Sequence, residues 1–255
     1  MKVGIVGCGA IGSEVAKAAS TMEGITSVLL YDVDPDATAL LTGLKRTKVA
    51  RNAKALVEAS DLVIEAANKG VVQTVVRDAL ALGKKAMLMT IGALADDALR
   101  EELVGLARKH GGKIYLPSGA VMGVDGVKAA AESDLKSITL VTTKPPAGVD
   151  RKTDRWSLLF SGPAREAVQR FPKNVNVAAT LSLAGLGFDN THVQVAIDPM
   201  ATRNSHKVII EGSFGRARIE VENLPSPTNP ATSYLASLSA IALLRRIVSP
   251  IEIGA

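Results

Sequence analysis

A glycine-rich turn, Gly7-Cys-Gly-Ala-Ile-Gly12, constrains this chain more than any other feature. It follows a short apolar run, Lys2-Val-Gly-Ile-Val6, that reads as a buried strand. It opens a helical pattern from Ile11 to Met22, with Ile11, Val15, Ala18, Ala19 and Met22 on one side. The next strand, Thr26 to Tyr31, runs into Asp32, about twenty residues beyond the last glycine of the turn. Gly7 permits the tight turn, Gly9 lets backbone amides approach a pyrophosphate, and Gly12 lets helix and strand pack closely. The helix N-terminus adds N–H donors and a dipole that favours an anion. Gly7, Gly9, Ala10, Ile11 and Gly12 are therefore the expected dinucleotide cradle. Asp32 is expected to accept hydrogen bonds from ribose hydroxyls and to repel a 2′-phosphate. Val33 and Asp34 offer no cation, so NAD is expected over NADP, with NADP left open because Lys45 or Arg46 could fold back. Cys8 reads as a small packing residue.

Around this turn the first half alternates strands and helices. Strands are expected at Asp61 to Glu65, Lys85 to Thr90 and Lys113 to Leu116, with helices over 70–82 and 95–109. That rhythm implies a parallel sheet with right-handed crossovers. After Pro117 the pattern changes. A glycine-punctuated loop, Ser118-Gly-Ala-Val-Met-Gly-Val-Asp-Gly126, leads into a helix over 124–132, and Ser137 to Thr143 alternates as a half-buried strand. Helices are expected over 163–170 and 176–186, then strands over 191–198, 205–212 and 215–222. In the last strand Ala217, Ile219 and Val221 face one way and Arg216, Arg218, Glu220 and Glu222 the other, the mark of an antiparallel sheet with one wetted face. Gly212-Ser-Phe-Gly215 is the expected hairpin turn. A proline-broken linker, 224–230, precedes a final helix over 231–247.

The fold class is thus α/β: a Rossmann-type parallel sheet plus a second α/β domain with a mixed, largely antiparallel sheet. The dinucleotide-binding domain is expected over 1–117, completed by a C-terminal helix within 225–255, and a catalytic and dimerisation domain over 118–224. The chain has 255 residues, 47% of them hydrophobic, which excludes a disordered chain. No apolar run is long enough to cross a bilayer, and the N-terminus lacks a signal-peptide pattern. The single cysteine forbids an internal disulfide and fits a reducing compartment, so a soluble cytoplasmic protein is expected. The net charge of +5 is dispersed rather than interleaved with aromatics, which argues against nucleic acid and suits an anionic small molecule.

A nicotinamide cofactor would carry the hydride, leaving orientation and acid–base work to the protein. Of three histidines, His110 closes a helix and His192 starts a strand without a metal-spaced partner. His206 shares a strand face with Val208 and Ile210. A lone histidine there is more often a satisfied core residue than a catalyst, yet it is the best general acid/base candidate in the chain. No metal site, Cys–His pair or nucleophile elbow is present in the sequence. Phe171-Pro-Lys-Asn-Val-Asn-Val-Ala-Ala-Thr180 reads either as a capped helix start or as carboxamides facing a cofactor amide or a carboxylate.

Taken together, the glycine turn, Ser118-Gly-Ala120, Phe171 to Thr180, the Asn204-Ser-His206 strand and Asn229-Pro-Ala-Thr-Ser-Tyr234 resemble the NAD(P)-dependent L-aspartate dehydrogenases, in the right order along nearly the whole chain. The resemblance implies oxidative deamination of L-aspartate through iminoaspartate to oxaloacetate and ammonia, or a supply of iminoaspartate to NAD biosynthesis. It places the family's active-site histidine on His206 and its cofactor contacts on Ala120 and Asn176. It also implies a homodimer. Ser118, Lys173 and Asn174 are candidate donors to the two substrate carboxylates. Asn68, after Glu65-Ala-Ala67, stands where the family pattern has a small residue such as serine. The rival readings are a homoserine dehydrogenase-like oxidoreductase of the aspartate pathway and an NADH-binding redox sensor without turnover.

Overall fold

A computed structural model of the chain describes residues 1–146, 153–171, 176–227 and 229–254. It divides into two compact units, one of Met1–Pro117 with Ser237–Glu252, the other of Ser118–Ala236 with the residues from Ile253.

In the first unit the order is β1 (Lys2–Val6), α1 (Ala10–Thr21), β2 (Ser27–Tyr31), α2 (Pro35–Ala39), β3 (Thr47–Val49), α3 (Ala53–Ala59) and β4 (Leu62–Glu65). It continues with α4 (Lys69–Val71), α5 (Arg77–Ala81), β5 (Lys85–Leu88), α6 (Asp97–His110) and β6 (Lys113–Tyr115). The strands form one parallel sheet in the order β3-β2-β1-β4-β5-β6. β1 and β4 lie side by side although a long stretch of chain separates them, so the winding reverses between them. In such sheets the crevice outside the strand ends at this reversal is where ligands bind. β1 and β4 read as continuous apolar runs because both sheet faces are covered: Val3, Ile5, Leu62, Val63 and Ile64 are fully buried. Between α4 and α5 the backbone takes a π-helical turn, Val72–Val76, where β-branched side chains crowd an ordinary α-turn. α6 ends at Gly111, left-handed at φ 72°, behind Arg108, Lys109 and His110, whose charges suit a helix C-terminus.

The second unit holds α7 (Val124–Ala131), β7 (Leu135–Lys144), β8 (Ser157–Pro163), α8 (Ala164–Arg170), α9 (Asn176–Ala184), β9 (Thr191–Ile197), β10 (Asn204–Gly212) and β11 (Gly215–Asn223). Its sheet runs β11-β10-β7-β9-β8. β7 and β9 pair in parallel and every other neighbour is antiparallel, so the expected run of three antiparallel strands is interrupted by β7 between β9 and β10. β8 was not foreseen, since a register shift between Leu158 and Phe160 breaks its alternation. Along β7 the residues Ile138, Leu140, Thr142 and Lys144 are buried, and along β10 His206, Val208 and Ile210. These face the same side, with His206 opposite Thr142, Val208 opposite Leu140 and Ile210 opposite Ile138. α9 packs on α7, α8 and β9.

The expected linker over 224–230 is instead partly paired, β12 (Pro225–Ser226) with β13 (Asn229–Ser233), before α10 (Tyr234–Val248). Pro225 is tolerated at a strand start, and Pro230 falls where the register shifts and it pairs with no residue of β12. The chain rejoins the first unit at Ser237, later than the boundary expected at 225, and Ala240 and Leu244 of α10 are buried in the core with Val3, Ile5, Val15 and Met87.

Candidate active site

In the first unit the glycine turn is built so that each glycine has a separate reason. Gly7 takes φ +92°, and a Cβ on it would lie 2.5 Å from Ala66 O. A Cβ on Gly12 would lie 1.8 Å from Gly7 O, so helix and turn touch through their backbones. A Cβ on Gly9 meets nothing within 4 Å. Gly9 is also the N-cap of α1, with no side-chain cap and no acidic residue in the first turn. Clear space thus lies beside Gly9 at an uncapped helix N-terminus, whose first N–H groups suit an anion.

Asp32 joins this turn. Its Oδ2 accepts from the Cys8 N–H at 2.6 Å and its Oδ1 from the Asp34 N–H at 3.0 Å. The same carboxylate that is expected to meet a ribose therefore also fixes the turn. Burial, with the Asp32 charge beside it, pushes the Cys8 thiol up to about 12, so it is no nucleophile at neutral pH. Arg46 is committed elsewhere, its guanidinium donating to Met22 O at 3.2 Å and Ile25 O at 2.7 Å. Of the two cations that could have reached a 2′-phosphate, only Lys45 retains that freedom. The turn and Asp32 fit a pyridine dinucleotide.

Sequence reasoning passed over Glu65, which ends β4 at the winding reversal. It is fully buried. Its Oε1 accepts from the Ala67 N–H at 2.8 Å and the Thr90 hydroxyl at 2.7 Å, and its Oε2 from the Thr90 N–H at 2.9 Å. Burial pushes its carboxyl above the ordinary range, against those hydrogen bonds. Glu65 so ties the loop after β4 to the loop after β5. Asn68 caps α4, its side chain accepting from the Val71 N–H at 3.2 Å, work that a serine would also do.

In the second unit His206 lies on the covered face of the sheet, 7% exposed. Its Nδ1 is 3.0 Å from the Thr142 hydroxyl. When Nδ1–H donates to that hydroxyl, Nε2 carries the lone pair of a base. Burial first, and the charge of Lys144 second, push the imidazole down to about 4. It is neutral at working pH and able to take a proton. At the same end of the sheet Asn223, opposite Asn204, donates from its Nδ2 to Ala120 O at 3.1 Å. This bond ties the Ser118–Ala120 segment to the end of the face that carries His206. Asn176 stands exposed at the start of α9, its carbonyl accepting from the Thr180 hydroxyl. Lys173 and Asn174 lie outside the described residues. His192, on β9, pairs with Ser161 at 3.0 Å.

The lowered His206 value makes stability depend on pH. An unfolded histidine titrates near 6.5 and this one near 4, so below 6.5 the unfolded chain binds a proton that the native one refuses. Its contribution is complete above 6.5 and falls as pH drops toward 4. Between about pH 7 and about pH 5 the protein is expected to lose about 2 kcal/mol more unfolding free energy than its His206→Asn variant. Urea unfolding of the two proteins at both pH values measures it, and parallel losses would mean an imidazole that titrates normally.

Residues 7–117 match the family model for the homoserine dehydrogenase NAD-binding domain, and residues 125–247 match the model for the aspartate dehydrogenase C-terminal region. The chain is 45% identical to the L-aspartate dehydrogenase of Methanosarcina acetivorans, over 100% of this chain and 99% of that one. The chain belongs to the aspartate dehydrogenase family. It is also 39% identical to the L-aspartate dehydrogenase of Bradyrhizobium diazoefficiens, over 100% of this chain and 94% of the relative. The fold matches the crystal structure of aspartate dehydrogenase from Thermotoga maritima with a TM-score of 0.83 at 24% identity, covering 100% of this chain and 99% of that chain. As a member of the aspartate dehydrogenase family it is an oxidoreductase with a pyridine-nucleotide domain. No helix among the described residues is long and apolar enough to cross a membrane.

Proposed function

We propose that the protein oxidises L-aspartate with NAD, releasing oxaloacetate and ammonia by way of iminoaspartate. The observation that carries this reading is His206, a buried and neutral base held at Nδ1 by Thr142, within the region matched by the aspartate dehydrogenase C-terminal model. A dinucleotide sensor has no use for such a group, whereas amine oxidation does. A bound nicotinamide supplies the acceptor for the hydrogen that leaves the substrate α-carbon. Nε2 of His206 takes a proton from the substrate ammonium group and gives it up to solvent, then takes one from the water that attacks the iminium carbon and returns it to the departing amine, the new hydroxyl proton leaving with the ammonia as ammonium. Backbone N–H groups at Gly9, Ala10 and Ile11 bind the pyrophosphate, with Gly7 and Gly12 keeping the turn tight enough to present them. Asp32 takes the ribose hydroxyls. Ala120 and Asn176 complete the cofactor contacts, and Ser118, Lys173 and Asn174 serve the substrate. The homodimer, the cytoplasmic location and the supply of pyridine-nucleotide synthesis belong to the same reading.

The test is the absorbance of reduced nicotinamide after mixing protein, NAD and L-aspartate, with L-glutamate and L-alanine as controls. Signal with L-aspartate alone supports the reading, and none with any amino acid leaves a dinucleotide-binding protein. Cofactor choice has its own test. NAD is preferred because Asp32 stands beside Val33 and Asp34 and because Arg46 is tied to Met22 and Ile25. Asp32→Asn retains an acceptor for the Cys8 N–H but loses the charge. It is expected to lower the NAD-to-NADP ratio of kcat/KM about tenfold or more, a loss of about 1.4 kcal/mol of discrimination. An unaltered ratio would place the ribose elsewhere.

A further inference from the structure

On β7 the buried parity runs Ile138, Leu140, Thr142, Lys144, three side chains that suit a covered face and one that does not. Lys144 is 6% exposed. Two residues beyond Thr142, it is the diagonal neighbour of His206 across the β7–β10 pair, about 7–8 Å away by strand geometry and within reach of a long side chain. A lysine on a covered face is ordinarily paired with a carboxylate. None of the ion pairs among the described residues includes Lys144. Burial alone pushes its ammonium below the ordinary lysine value. Among the described residues, the side chains that share this end of the face by strand register are Thr142 and His206, Asn204 and Asn223, Val221 opposite His206, and Val195 and Ile197 of β9, with no acid among them; Asp198 follows at the end of β9, its N–H donating to Lys144 O at 3.0 Å. Two carboxamide oxygens there, Oδ1 of Asn204 and Oδ1 of Asn223, are buried without a hydrogen-bond partner.

We propose that Lys144 binds a carboxylate of the substrate, beside His206 and at the end of the sheet face where Asn204 and Asn223 hold buried carboxamides. Lys144 has no ion-pair partner among the described residues, so a dicarboxylic amino acid that enters supplies its counter-ion, and the two carboxamide oxygens are acceptors matched to that molecule's amino group. Lys144 thereby makes an acidic substrate a requirement of the site. This rests on the reading that the protein acts on L-aspartate.

The probe is succinate, a dicarboxylate of the same length without an amino group, measured as a competitive inhibitor against L-aspartate and by calorimetry with NADH bound. Lys144→Met is expected to weaken succinate about 10–100-fold, and Lys144→Arg, which keeps the charge, to bind more tightly than the methionine variant. Because methionine removes a cation from a covered sheet face, Lys144→Met is also expected to raise Tm in the absence of ligand. A purely structural lysine would give the reverse pattern, a lowered Tm with succinate affinity intact. That pattern, a methionine variant that fails to fold, or wild-type succinate binding in Lys144→Met overturns the proposal. If wild-type protein oxidises L-aspartate while Lys144→Met binds succinate normally, only the role of Lys144 falls. If wild-type protein neither oxidises L-aspartate nor binds succinate, the reading of the site falls with it.

Discussion

Replacing His206 by asparagine is expected to lower kcat about 10²–10⁴-fold, the range over which a positioned general acid/base accelerates proton transfer. NADH affinity is expected to stay within a few-fold of wild type, because the glycine turn and Asp32 form a unit of their own with no contribution from β10. Asparagine retains a polar group for the Thr142 hydroxyl, so the strand face keeps its hydrogen bond and the fold persists. Steady-state turnover with L-aspartate and quenching of NADH fluorescence separate the two effects. A variant that turns over normally would return His206 to the role of a satisfied core residue. A variant that loses NADH as well would mean that the imidazole supports structure.

The second large effect concerns the turn, where two glycines a few residues apart are expected to fail in opposite ways. Gly12→Ala places a methyl 1.8 Å from Gly7 O, a backbone atom whose residue is held by the Gly7 N–H donating to Tyr31 O at 3.0 Å. The substitution is expected to destabilise the protein by about 2–3 kcal/mol, lowering Tm by roughly 4–12 °C, and to lose dinucleotide binding with it. Gly9→Ala meets nothing within 4 Å, and its φ of −69° suits any L-residue. Its Tm is expected to hold, while the new methyl occupies the space in front of the first N–H groups of α1. Losing two charge-assisted hydrogen bonds there corresponds to about 3 kcal/mol, or about 100-fold in NADH affinity. Calorimetric scans and NADH titrations of both variants decide it. Intact NADH binding in Gly9→Ala would mean that the pyrophosphate does not lie against this helix end.

The first unit was legible because its signals are local and strong. The apolar run of β1, the three glycines and Asp32 each have a short-range cause, and the structure sets them side by side. β3 (Thr47–Val49) was missed because, at the edge of the sheet with Lys48 and Val49 exposed, it offers a single apolar residue and no buried run. β12 and β13 were missed because Pro225 and Pro230 read as breakers, and only the pairing itself reveals them.

In the second unit the face of His206 was readable from the alternation of His206, Val208 and Ile210. The groups that surround it were not. Thr142 and Lys144 come from a strand far away in sequence, and their approach is set by the register between β7 and β10. The alternation along β7 was traced only to Thr143. One further step in the same parity would have put a lysine on a covered face, the one sequence signal that pointed to it. Glu65 was hidden for the same reason, since its partners Ala67 and Thr90 belong to two loops that meet only in the folded sheet.

A crystal structure of the protein with NAD and oxaloacetate bound tests the central claim most directly. The expected result is Nε2 of His206 within about 2.6–3.2 Å of the oxaloacetate C2 oxygen, with the C2 carbon facing the nicotinamide ring. An imidazole facing apolar side chains alone, with oxaloacetate held at another part of the chain, would contradict it.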